Sequence, residues 1–232
     1  MRVFGALKAD IKFQFKHGFY FVYIALTLMY MTIISQIPVS MSKYIVPVVI
    51  FSDPSIVGFF LIGGIVMLEK IQGILHYLVI TPLRTKEYLL SKVISLALLA
   101  ELAGFAIAFV TYNKNFNWLL LGVGILLTSS IFTLYGFIVV SGCNTINQYL
   151  IKMVPYMLVI IIPCLLIIKY PYSWAIDIFP GVTGLKLIHG AFNGIGLLRA
   201  LLYVSYLIIS NIVGFVLVVR FFDDRIAHRG EV

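Results

Sequence analysis

The chain has 232 residues, 62% of them apolar and only 11% charged, against ~25% charged in an average soluble domain. This excludes a large soluble enzymatic domain, a disordered chain, a collagen-like repeat and a disulfide scaffold. The net charge of +8, from 17 Lys and Arg against 9 Asp and Glu, would suggest nucleic acid in a soluble protein, but here it reads as basic loops on the cytoplasmic side of a membrane.

Met1 to Gly18 precedes the first long apolar run. Phe4, Leu7, Ile11 and Phe15 recur at helical spacing beside a stripe of Lys8, Lys12 and Lys16. This predicts an amphipathic helix over 1–18, lying in the headgroup layer. Arg2, Lys8, Asp10, Lys12 and Lys16 interrupt any apolar signal region, so no cleavable leader is expected.

Membrane-spanning helices need ~20 apolar residues each, so six would use ~120 residues and leave room for ends and loops. The first is predicted over 19–36, ended by Pro38. The next apolar stretch, Tyr44 to Leu68, is broken at Asp53-Pro54. Ser55 to Leu68 alone covers only ~21 Å, so either Ile45 to Phe51 completes the span across a kink, or the helix runs on past Glu69. A helix over 54–74 is favoured, with Asp53 as its cap and Pro54 in its first turn. Tyr44 to Phe51 then forms an outer-leaflet segment packed against protein.

The remaining spans are predicted over 88–110, 118–140, 153–168 and 197–219. Trp118 marks an interface, and Cys143 to Gln148 forms a polar connector. Lys169 to Gly196 keeps apolar residues throughout but has no charge-free run long enough to cross. It reads as a half-inserted helical hairpin turning at Pro180-Gly181. The architecture is thus all-α: one polytopic permease-like domain over 1–232 with six transmembrane helices.

Alternate sides of this topology collect different numbers of basic residues. One side holds Arg2, Lys8, Lys12, Lys16, Lys70, Arg84, Lys86, Lys92, Lys152, Arg220, Arg225 and Arg229. The other holds Lys43, Lys114, Lys169, Lys186 and Arg199. The richer side is cytoplasmic by the positive-inside rule, which places both termini there.

No nucleotide-binding G-x-x-x-x-G-K-[ST] pattern occurs, and no H-E-x-x-H, G-x-S-x-G or C-x-x-C. His17, His76, His189 and His228 are scattered, and Cys143 and Cys164 have no metal-ligand spacing. No catalytic residue, cofactor site or metal site is expected in this chain, and no nucleic-acid partner.

The informative segment runs from Glu69 to Tyr88. Leu75, Leu78 and Val79 lie at i, i+3 and i+4, Thr81 can cap, and Pro82 suits a first helical turn. Arg84, Lys86 and Glu87 supply polar handles. Together they form a short amphipathic helix, a bend and a re-entering helix that protrude from the membrane as a knob.

Glu69-Lys70, Gly73, Leu75, Leu78, Thr81-Pro82-Leu83, Glu87-Tyr88 and Lys92 resemble the pattern of permeases of the ABC type-2 exporter family. Asp53-Pro54 followed by Gly58-Phe59-Phe60, and the half-inserted region before the last span, agree with it. The resemblance covers essentially the whole chain and is greatest to the small bacterial drug or fluoroquinolone exporters. It implies a coupling helix that docks on an ATPase through Leu75, Leu78, Val79, Thr81, Pro82, Arg84, Lys86 and Glu87. It also implies a bacterial inner-membrane location, a second permease copy or sister chain, and two separate ATPase subunits that hold ATP and Mg. The cargo implied is a drug-like, peptide or lipid-like amphipathic molecule.

Glu101 lies midway along the third predicted span, near Ala97, Ala100, Gly104 and Ala108 at spacings of three and four. Small residues permit close helix contact, and a carboxyl at that depth faces protein or water rather than lipid. It either hydrogen-bonds a neighbouring helix or lines the substrate path. Two other functional readings are a membrane scaffold or immunity-type protein that transports nothing, and an ion-coupled transporter. The last would need several buried acids or histidines, of which only Glu101 stands out.

Overall fold

The computed structural model describes residues 2–74, 84–112, 116–169 and 176–227, and every regular element among them is helical. Helix α1 (Arg2–Lys16) meets α2 (Phe19–Ser35) at Gly18, whose φ of 77° suits a residue without a Cβ, and the two helices bend by 68° there. Pro38 precedes α3 (Val39–Ser52). A π-helical turn, Asp53–Gly58, carries the chain directly into α4 (Phe59–Ile71).

This α3–α4 run differs from the expected helix starting at Pro54. Pro54 has no N–H to donate, and in an α-helix its ring would crowd the carbonyl of Ile50. Widening to an i→i+5 turn accommodates both faults without ending the helix. Asp53 therefore lies within the run instead of capping its start.

Helix α5 (Thr85–Thr111) and α6 (Trp118–Ser141) follow. Asn117 caps α6, its side-chain oxygen accepting from the Leu120 N–H at 3.1 Å. Helix α7 (Ile146–Lys169) begins before the expected Met153, because Thr145 Oγ1 accepts from the Gln148 N–H at 3.2 Å and starts the helix there. A 3-10 turn (Ile176–Ile178) leads to α8 (Pro180–Asn193). Pro180 occupies the first turn of α8, so Pro180-Gly181 starts a helix instead of forming the bend of a hairpin. Residues 170–175, expected in the hairpin's first arm, lie outside the described residues. Helix α9 (Leu197–Ala227) closes the chain.

Four helical stretches are individually long and apolar enough to cross a membrane: Thr85–Thr111, Trp118–Ser141, Ile146–Leu166 and Leu197–Phe222. The bent pair α1–α2 adds a fifth if taken as one span. Helix α6 is central, packing against α4, the π turn, α5, α8 and α9. Of its apolar stretch 72% is buried within the protein, against 17% for α7 and 22% for α9, so α7 and α9 form the outer wall.

The two ends of the bundle are distinct. Gln72 on the α4–α5 connection meets His17, and Lys70 donates to the Cys143 carbonyl in the α6–α7 turn. Phe222 of α9 lies on Tyr88, so α1 and the far part of α9 share this end. At the opposite end Asn193 donates to the Lys43 carbonyl, and the Asn117 N–H donates to the Ala191 carbonyl.

Close helix crossings depend on glycine. At Gly136 on α6 a Cβ would overlap the Ile62 side chain and stand 3.0 Å from the Phe59 carbonyl oxygen. The ring of Tyr149 occupies the space a Cβ would need at Gly63. Gly136→Val is therefore expected to lower stability by about 1–3 kcal/mol or more through overpacking. Gly5→Ala, where nothing lies within 4 Å, is expected to leave it unchanged. Thermal unfolding of the two variants in detergent checks the difference.

Candidate functional site

Helix α5 opens with polar residues on one face: Tyr88, Ser91, Lys92 and Ser95 fall at i, i+3, i+4 and i+7. All four are buried. The Lys92 side chain is fully enclosed, and its Nζ lies 2.8 Å from Asp10 Oδ1 on α1 and 2.6 Å from Glu69 Oε1 on α4. The other carboxylate oxygens are also satisfied. Tyr88 Oη donates to Glu69 Oε2 at 2.6 Å, and Ser91 Oγ donates to Asp10 Oδ2 at 2.5 Å. The ammonium stands 4.7 Å from the centre of the Tyr88 ring. One turn further along, Gln14 Nε2 donates to Ser95 Oγ at 2.8 Å.

These bonds decide how α1 lies. It turns Asp10 and Gln14 into the protein and leaves Phe4, Ile11 and Phe15 exposed. Lys8, Lys12 and Lys16 are exposed as well. The inward face of α1 thus carries Asp10 and Gln14 beside half-buried Leu7 and Phe13, with Phe13 packed against the core. Sequence reasoning placed Lys92 among the loop cations and missed this cluster. The missed signal was polar periodicity: the Tyr88-Ser91-Lys92-Ser95 stripe on one apolar helix, and Asp10 with Gln14 at i, i+4 on another.

Of the residues read as an ATPase-docking surface, Leu75, Leu78, Val79, Thr81 and Pro82 lie outside the described residues. Arg84 and Lys86 are exposed beside the start of α5. Glu87 is half-buried, and its Oε2 accepts from the Arg84 N–H at 2.9 Å, satisfying an otherwise open donor of the helix start. Glu69 lies in the last turn of α4, and Tyr88 and Lys92 lie in the first turns of α5.

Glu101 stands apart from that cluster. It is half-buried on α5, with Oε2 3.7 Å from the place a Cβ would take on Gly122 of α6, beside the Phe105 ring. It therefore faces a neighbouring helix. Ala97, Ala100, Gly104 and Ala108 are all buried, and a Cβ on Gly104 would reach within 2.5 Å of the Ile125 side chain. Asp53, read from sequence as a cap, is buried as well, and its Oδ2 accepts from Tyr23 Oη of α2 at 2.7 Å.

A profile of the fluoroquinolones export permease protein family matches residues 1–229. The chain belongs to this family. It is 29% identical, over 136 residues, to a fluoroquinolones export permease protein of Mycobacterium tuberculosis, in the CDC 1551 / Oshkosh strain and in the H37Rv strain alike. That match spans 59% of this chain and 57% of the relative's length. No solved structure matches the chain. Family and helices together make this an integral membrane protein, as the resemblance to small drug-exporting permeases implied.

For this permease family member, Lys92 gives a direct test of the clamp. Lys92→Met leaves two buried carboxylates without a counter-charge and is expected to cost about 3–5 kcal/mol. Adding Asp10→Asn and Glu69→Gln removes those charges and is expected to recover most of the loss. The readout is thermal unfolding in detergent together with protease sensitivity of α1.

Proposed function

We propose that this chain is the membrane-spanning subunit of an ATP-binding cassette exporter of the type-2 class. Two copies, or one copy and a sister chain, form the pathway in the bacterial inner membrane, with both termini in the cytoplasm. Two separate ATPase subunits hold ATP and Mg, and this chain hydrolyses nothing. Helix α1 lies in the headgroup layer on Phe4, Ile11 and Phe15, with Lys8, Lys12 and Lys16 toward lipid phosphates. The relatives' name points to a drug-like, amphipathic cargo of the fluoroquinolone type.

The observation that supports this reading best is the Lys92 clamp. It joins α1, the end of α4 and the start of α5 through one buried ammonium. The docking segment 75–83 is strung between α4 and α5, so a displacement imposed on it moves three helices as a body. A force from ATP-driven closure of the partner would then reach the bundle instead of dissipating in a loose loop. A scaffold that moves nothing has no need of such a link.

Leu78→Asp or Val79→Asp is expected to weaken association with a cognate ATPase by about 2 kcal/mol or more, as for a buried interface anchor. Efflux should fall with it while the permease stays folded. Co-purification and drug accumulation are the measurements, and unchanged values for both would overturn the coupling assignment.

Glu101 is assigned to the α5–α6 contact, where it faces Gly122. Glu101→Gln keeps the hydrogen-bonding capacity and is expected to leave stability, ATPase association and efflux unchanged across pH. Selective loss of efflux for cationic compounds would instead put Glu101 on the cargo path.

A further inference from the structure

The outward half of α1 carries two adjoining edges. At 3.6 residues per turn, Phe4, Ile11 and Phe15 fall within about 40° of one another around the helix axis. Lys8, Lys12 and Lys16 occupy the next ~80°. All six side chains are exposed. The three lysines make no ion pair among the described residues. The helix has one acid, Asp10, and it lies on the opposite side, bonded to Ser91 and Lys92. The outward face of α1 therefore carries positive charge and no negative charge.

Such a face is unfavourable in water. Like charges at i and i+4 destabilise a helix, and one of 15 residues is marginal by itself. The bend of 68° at Gly18 turns α1 away from the line of α2. With α2 inside the membrane, that bend brings α1 toward the plane of the membrane surface. There the two edges find different surroundings. The aromatic edge reaches the acyl boundary, and the lysine stems reach over it to the headgroups. Zwitterionic headgroups offer three lysines no net charge, whereas an anionic surface does.

We propose that the outward face of α1 is a binding surface for anionic phospholipid headgroups, and that these lipids secure the helix that clamps Lys92. The two functions share one helix. Its outer edges hold lipid, and its inner side presents Asp10 to Lys92 and Gln14 to Ser95. Covering the outer side favours the helical, docked form that the inner bonds require. The proposal takes the headgroup-layer placement of α1 as given and holds whether or not an ATPase drives this chain.

The test uses the purified full chain in nanodiscs of phosphatidylcholine alone, and of a two-to-one mixture with anionic phosphatidylglycerol. Hydrogen exchange of the α1 amides is the readout. Phosphatidylglycerol is expected to slow that exchange about tenfold or more, since each lysine near an anionic surface contributes about fivefold. Raising the salt to about 1 M, which screens exposed charges within ~3 Å, should remove most of the slowing. Lys8→Gln, Lys12→Gln and Lys16→Gln together should abolish the difference between the lipids and leave exchange in the rest of the bundle as it was. Phe4→Ala with Phe15→Ala should speed exchange of α1 in both lipids. Equal exchange in the two lipids overturns the proposal, and so does a phosphatidylglycerol effect that survives in the triple lysine variant or at high salt. Protection of α1 that arises only on adding a cognate ATPase, equally in both lipids, also overturns it and gives the face to an acidic protein surface. Equal exchange in the two lipids leaves the ATPase reading standing, because co-purification and efflux test that reading separately.

Discussion

The ammonium of Lys92, enclosed between Asp10 and Glu69, organises one end of this molecule. A buried ammonium is costly unless it is partnered by charge and hydrogen bonds. Tyr88 and Ser91 complete the shell, and Gln14 with Ser95 extends it by a turn. Such a network stabilises weakly relative to an apolar core, but it tolerates little variation in geometry. The position of α1 across α5 and the spacing of α4 from α5 both follow from it. With Asp10 and Gln14 turned inward beside Phe13, Phe4 and Phe15 of α1 are left outward.

Away from that end the bundle is held by shape. In lipid there is little hydrophobic drive between helices, so close contact and backbone approach carry the association. Helix α6 meets α4 where Gly136 admits Ile62, and meets α5 where Gly104 admits Ile125. Tyr149 fills the notch at Gly63 and donates to the Phe59 carbonyl, pinning α7 to α4. These contacts place α6 at the centre and leave α7 and α9 with mostly outward apolar surface. The π turn lies against α6, where Gly58 faces Ser129 and Thr133.

Much of this was legible from residues alone. Long apolar runs bounded by Pro38, Trp118 and the polar connector Cys143 to Gln148 mark helices, because proline, interfacial aromatics and polar turns act locally. Of the apolar stripe Phe4, Leu7, Ile11 and Phe15, legible because helical periodicity needs no partner, Phe4, Ile11 and Phe15 are exposed and Leu7 is half-buried. The amphipathic spacing of Leu75, Leu78 and Val79 falls on residues outside those described, and Arg84, Lys86 and Glu87 lie at the start of α5. The break at Asp53-Pro54 was visible too, but its form was not. Whether proline ends a helix or widens it depends on what packs alongside, and here α2 and α6 hold both halves in line.

The sequence by itself determined that the protein is helical, apolar and built for a membrane, since composition and period settle those matters within each segment. Tertiary structure alone decided which polar residues meet. Asp10 and Lys92 are 82 residues apart, Glu69 and Lys92 are 23 apart, and Tyr23 and Asp53 are 30 apart. Each looks like an ordinary loop charge, cap or interfacial aromatic in its own segment. Only the packing of separate helices removes their water, and removal of water is what forces a buried charge to find one particular partner.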